Sequence, residues 1–201
     1  MGKTILYIII ALIIIGVVGY FVSMQFKSQE KKIAQLNKEI EWLKKETIPI
    51  RYKVKSRQDE KVELLVKFYD LEGKEIKKAD FELEGNQPSF DFYVVKFEQG
   101  YIAIPWKIFT EKIKPEDGIL LWQYYEKDNF PMIFATKQKN KAFKEGIEAL
   151  YKEIKTGNLE KYNVFGSMVQ NTNADIINNR DIDVWYKIIV HTKGGLEIQQ
   201  E

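Results

Sequence analysis

Cysteine is missing from all 201 residues, and its absence excludes a whole branch of chemistry. No disulfide, thiolate nucleophile, Cys-ligated zinc, iron–sulfur cluster or cysteine-linked lipid can form. The compartment stays open, because a thiol-free chain tolerates oxidising and reducing surroundings alike. Histidine is almost missing too. His191 stands alone, which rules out a multi-histidine metal site. A strong net charge is also lacking. The 31 Lys and Arg face 29 Asp and Glu, a balance near +2 with no field to draw in nucleic acid. N-myristoylation wants Ser or Thr at position 6, and that residue is Leu6. No internal repeat or long low-complexity linker interrupts the chain.

What is present begins with an apolar run. Every one of residues 5–22 is apolar, Gly or Tyr. At about 1.5 Å rise per residue this run spans roughly 27 Å, close to the ~30 Å hydrocarbon core of a bilayer. Its thirteen Ile, Leu, Val and Phe residues contribute about −4 to −8 kcal/mol to insertion. Tyr7 and Tyr20 stand near its two ends, at headgroup level. We expect a short tail at residues 1–4 and a transmembrane helix at residues 5–26. A soluble core helix is rarely apolar on every face. A cleaved signal peptide has a shorter apolar region and a small-x-small site, whereas residues 20–25 are mostly large. Lys27, Lys31, Lys32 and Lys38 outnumber Lys3, which by lysine count keeps the downstream domain in the cytoplasm. A tail of four residues with one lysine instead has the form of a signal-anchor, which exports the downstream domain. We adopt the second orientation, a single-pass protein of the cell membrane with an extracytoplasmic domain.

A charged segment with regular apolar spacing comes next. Phe26, Ile33 and Ile40 fall at heptad position a, and Leu36 and Leu43 at d, with Gln29 the one polar seam residue. Ile at a with Leu at d favours a parallel two-stranded coiled coil. In this register Glu39 at g meets Lys44 at e of the other chain. We therefore expect a coiled-coil stalk at residues 27–48 that makes a parallel dimer. The competing reading is a lone amphipathic helix packed on its own domain. Pro49 should end the helix.

Residues 50–201 read as an α+β domain, mostly antiparallel β with one or two helices. Ile50, Tyr52 and Val54 alternate with Arg51, Lys53 and Lys55, the pattern of a half-buried strand. Val62, Leu64, Val66 and Phe68 repeat it. Residues 70–73 read as a turn, and Phe81 and Leu83 alternate with Asp80, Glu82 and Glu84. Residues 85–89 form a loop, succeeded by strands at 90–97 and 101–104 around Gly100. Pro105 should end the second strand or place it at an edge. Residues 115–125 fit either a short helix after Pro115 or a buried strand. Residues 132–136 look like a strand. Residues 141–156 give the clearest helix, with Phe143, Ile147, Leu150 and Ile154 on one face, Asn140 as cap and Gly157 as stop. Residues 182–190 and 196–199 form the strongest hairpin, around Gly194 and Gly195.

No constellation for catalysis emerges. His191 lacks a Ser or Cys partner motif and reads as an ordinary hydrogen-bonded histidine. Asn171, Asn173 and Asp175 have calcium-loop spacing, but Ile176 and Ile182 stand where Gly and Glu are needed. Gly166-Ser167 lacks the second glycine of a nucleophile elbow, and Gly194-Gly195 lacks the Lys and Ser/Thr of a phosphate loop. Asp80, Glu82, Glu84 and the Glu116-Asp117 pair read as solvated charge.

Aromatics reach 13%, and Trp106, Trp122, Tyr124, Tyr125 and Trp185 are the candidate interaction residues. The layout of short tail, membrane helix, coiled stalk and small domain resembles bitopic bacterial envelope scaffolds in general, a likeness of architecture that transfers no residues. The expected function is a non-catalytic scaffold or interaction protein with no cofactor. Its expected partners are the lipid bilayer, a second copy of itself, and an envelope protein or glycan, and not nucleic acid. The alternatives are a small-ligand or glycan-binding module that uses the aromatics, and a hydrolase that uses carboxylates alone.

Overall fold

The computed structural model describes residues 45–97, 100–137, 141–159, 162–170 and 182–201. The expected transmembrane helix lies outside the described residues, as do the seam positions Phe26, Ile33, Leu36, Ile40 and Leu43, Trp42, the cap Asn140 and the Asn171–Asp175 loop. Among the described residues no helix is long and apolar enough to cross a membrane.

A five-stranded antiparallel sheet carries most of the expected strands. It contains β1 (Thr47–Gln58), β2 (Lys61–Tyr69), β3 (Glu75–Glu84), β10 (Trp185–Val190) and β11 (Leu196–Gln200), in the order β11-β10-β1-β2-β3. β1 starts at Thr47, so the last two residues assigned to the stalk are strand, and Pro49 sits inside β1 beside a register shift between Thr47 and Ile50. The alternation holds. Ile50 pairs with Phe68 and Ile188, Tyr52 with Val66 and Tyr186, and Val54 with Leu64, and all of these are buried. Asp59 and Glu60 close β1–β2 with φ of 52° and 59°, the two left-handed residues of a type I′ hairpin. Asp70 closes β2–β3: its Oδ1 accepts the N–H groups of Glu72 at 3.0 Å and Lys74 at 2.9 Å.

The second sheet has four strands, β4 (Ser89–Phe97), β5 (Gly100–Phe109), β6 (Ile119–Leu120) and β9 (Val164–Gln170), in the order β6-β5-β4-β9. β5 does not end at Pro105. Pro105 pairs with Phe92 while Lys107 pairs with Asp91, which leaves Trp106 as an extra residue in a bulge. β6 borders β5 only at Lys107 and Ile108, so Pro105 occupies edge-like backbone where no N–H is required. The buried faces of the two sheets share one core, with the Tyr52 ring centroid 4.9 Å from that of Phe90. Burying a side chain such as Phe92 stabilises the fold by about 1.5–3 kcal/mol.

Three expectations are corrected between and after the sheets. Residues 115–125 are neither one helix nor one strand: a 3₁₀ turn (Pro115–Asp117), β6 and the single-turn helix α1 (Trp122–Tyr125) succeed one another. Residues 132–136 are not a strand but a 3₁₀ helix (Met132–Lys137), which comes after the two-residue strands β7 (Glu126–Lys127) and β8 (Phe130–Pro131). The last hairpin begins at Trp185 and not at Ile182, because Asp183 takes φ of 62° and breaks the extended run. Helix α2 (Lys141–Thr156) is where its periodicity placed it, burying Phe143, Ile147, Leu150 and Ile154, and Gly157 ends it at φ +74°. The domain is therefore mostly antiparallel β with few helices.

Candidate functional site

Two surfaces gather polar and aromatic side chains. The first is the outer face of the five-stranded sheet. Arg51, Lys53 and Lys55 point away from the core because Tyr52 and Val54 point into it. Trp185 lies on this outer face, half-buried, with Lys53 Nζ 5.8 Å and Lys67 Nζ 5.1 Å from its ring centroid. The register then aligns four cations across four strands: Lys187 pairs with Arg51, Arg51 with Lys67, and Lys67 with Lys78. Neighbouring strands are about 4.8 Å apart, so the row is roughly 14 Å wide. Arg51 is offset by Glu201 at 2.8 Å and lies 4.4 Å from the centroid of the Tyr69 ring. Lys67 is offset by Glu75 at 2.9 Å, a hydrogen bond that holds its ammonium pKa above the ordinary value. Lys78 and Lys187 form no ion pair among the described residues.

The second surface is a cleft beside helix α2. The bulge at Trp106 turns its ring toward Tyr93, 4.9 Å away edge-on, and toward Trp122, stacked at 6.4 Å. Lys155 extends from the last turn of α2 over Trp122 at 4.4 Å and Tyr151 at 5.2 Å. Both carboxylate oxygens of Glu126 hold its ammonium, at 2.8 and 3.1 Å. The adjoining cleft has a volume of about 570 Å³ and is lined by Asp128 and Asn129 of the β7–β8 turn and by Glu148, Tyr151, Lys152 and Lys155 of α2, with Thr156 at its end. Among the described residues, Trp122 Nε1 is buried without a hydrogen-bond partner. Burial pushes the Tyr151 phenol far above its ordinary pKa.

No family model, curated protein or solved structure matches this chain.

The five candidate aromatics thus fall into separate places. Trp106 and Trp122 stack together and Trp185 lies on the other sheet. Tyr124 packs on Phe81 at 5.0 Å and Phe68 at 6.3 Å. Tyr125 is buried, and its hydroxyl donates to the Pro105 carbonyl, so its ring belongs to the core. The carboxylate stripe of β3 is exposed and paired, Asp80 with Lys55 at 3.3 Å and Glu82 with Lys61 at 2.5 Å. Lys107 donates to the carbonyls of Pro115 at 2.9 Å and Glu116 at 2.8 Å, which uses the 3₁₀ turn structurally. Ser167 lies inside strand β9 and not on a strand-to-helix elbow. Among the described residues no group of acids and histidine could hold a metal ion. Sequence reasoning missed the row of Arg51, Lys67, Lys78 and Lys187, and also Glu126 and Lys155. Alternation marks the face of a strand, but nothing local marks which residues meet across strands.

Proposed function

We propose that this chain is a single-pass, membrane-anchored, non-catalytic scaffold that pairs through its stalk and presents the outer face of its five-stranded sheet to an envelope partner. The observation that supports this reading is the cationic row beside Trp185. Like charges set directly opposite each other weaken a sheet, so a face that keeps three such pairings is explained by recognition rather than by stability. Tryptophan, tyrosine and arginine are enriched in binding hot spots, and this face carries Trp185, Tyr69 and Arg51 together. A photoreactive phenylalanine analogue at position 185, irradiated in intact membranes, should yield a discrete set of protein adducts. The same analogue at the remote exposed Glu116 should not. If both positions give the same background, the reading fails.

The cleft favours a second reading, in which the domain binds a small hydroxyl-rich ligand such as a glycan fragment. An unsatisfied buried polar atom costs about 1–3 kcal/mol, and the Trp122 indole N–H beside the Lys155–Glu126 pair suits a ligand that supplies a hydrogen-bond acceptor. Titration with soluble cell-wall fragments should change tryptophan emission in the parent chain and not in Trp122→Phe. A flat response in both removes this reading.

A further inference from the structure

We infer that the partner element docked by this face is an acidic, extended segment of a protein, an inference that rests on the scaffold reading above. The row Lys187–Arg51–Lys67–Lys78 is set by pairing register across four strands, so its geometry is rigid. Among the described residues, Glu201 and Glu75 offset only the two central cations, and the end cations Lys78 and Lys187 form no ion pair there. Lys78 is exposed and Lys187 half-buried, so both heads reach solvent. A width of about 14 Å matches roughly four residues of extended chain at ~3.4 Å each. Trp185 and Tyr69, beside the row, offer flat apolar surface to the partner's intervening residues.

Lipid headgroups are the competing anionic surface, and distance argues against them. Residues 27–44, if they form the proposed helical stalk, would hold β1 about 27 Å above the end of the apolar run. The headgroup field decays over about 8 Å at physiological ionic strength. A protein segment can reach the row where the headgroups cannot.

The test uses the full chain in phosphatidylcholine nanodiscs and a fluorescent hexaglutamate peptide, read by anisotropy. Hexaglutamate should bind at low salt and weaken as salt is raised about tenfold. The double variant Lys78→Gln/Lys187→Gln should bind about three- to tenfold more weakly. The control Lys114→Gln/Lys127→Gln, with two exposed lysines off this face, should bind like the parent. Absence of hexaglutamate binding, equal loss in both variants, or displacement by inorganic phosphate as effective as by unlabelled peptide overturns the inference. Adducts at position 185 together with absent hexaglutamate binding would sink this inference alone and leave the scaffold reading standing.

Discussion

His191 has both ring nitrogens engaged by carboxylates: Nδ1 lies 2.6 Å from Glu46 and Nε2 2.8 Å from Glu197. Two acceptors suit the imidazolium, which donates from both nitrogens. The hydrogen bond to Glu46, then that to Glu197, holds the pKa above its ordinary value. The unfolded reference is about 6.5. Because the folded pKa is the higher one, the stabilisation is complete below about pH 6.5 and is lost as pH rises through the folded value. Urea midpoints of the parent should therefore fall between about pH 6 and about pH 8.5 by more than those of His191→Gln. Parallel midpoints for the two chains would show that the contact contributes nothing in solution. Glu46 immediately precedes β1, so this contact also fixes the direction in which the chain enters the sheet.

At the scale of elements, two glycines separate conformational strain from steric contact. Both Gly157 and Gly194 have positive φ, +74° and +82°. Around Gly157 there is open space, whereas a Cβ on Gly194 would lie 2.6 Å from the Tyr101 ring. Gly157→Ala should cost about 1 kcal/mol from the left-handed backbone alone. Gly194→Ala adds overpacking and should cost about 2–4 kcal/mol, since Tyr101 is held between the β10–β11 turn and Phe165. Chemical denaturation of both variants checks the order; equal losses would mean that Tyr101 simply moves aside. Elements with strong period were legible: the strands around Tyr52, Leu64 and Ile188, and helix α2. Those that failed were short or atypical. The Asp59-Glu60 and Asp128-Asn129 turns use left-handed residues without glycine. β9 gives no alternating signal, because Val164, Gly166 and Met168 occupy one face and Phe165 and Met168 are exposed.

For the whole molecule, the proposed membrane anchor rests on the gain expected from transferring the apolar run of residues 5–22 from water to lipid. On that argument the full chain should stay in the membrane fraction through alkaline carbonate, while a chain lacking residues 1–26 should be released. Release of the full chain by carbonate would remove the anchor. The proposed stalk makes a separate claim. Light scattering of the full chain in detergent should give the protein mass of two copies, and Leu36→Asp should reduce it to one, because a charge at a seam d position is buried without a partner. A mass of one copy for the parent would favour the stalk helix packed on its own domain.

The sequence alone determined what depends on neighbours along the chain. Periodicity distinguished strand from helix, the apolar run defined the expected anchor, and missing cysteine closed thiol chemistry. Only tertiary structure decided which residues meet. Pairing register aligned Lys187, Arg51, Lys67 and Lys78, and a single bulge brought Trp106 to Trp122 beneath Lys155. Register results from packing buried faces contributed by distant segments, and shifting it by one residue would move every side chain to the opposite face. That information lies in the assembled core and not in any one strand.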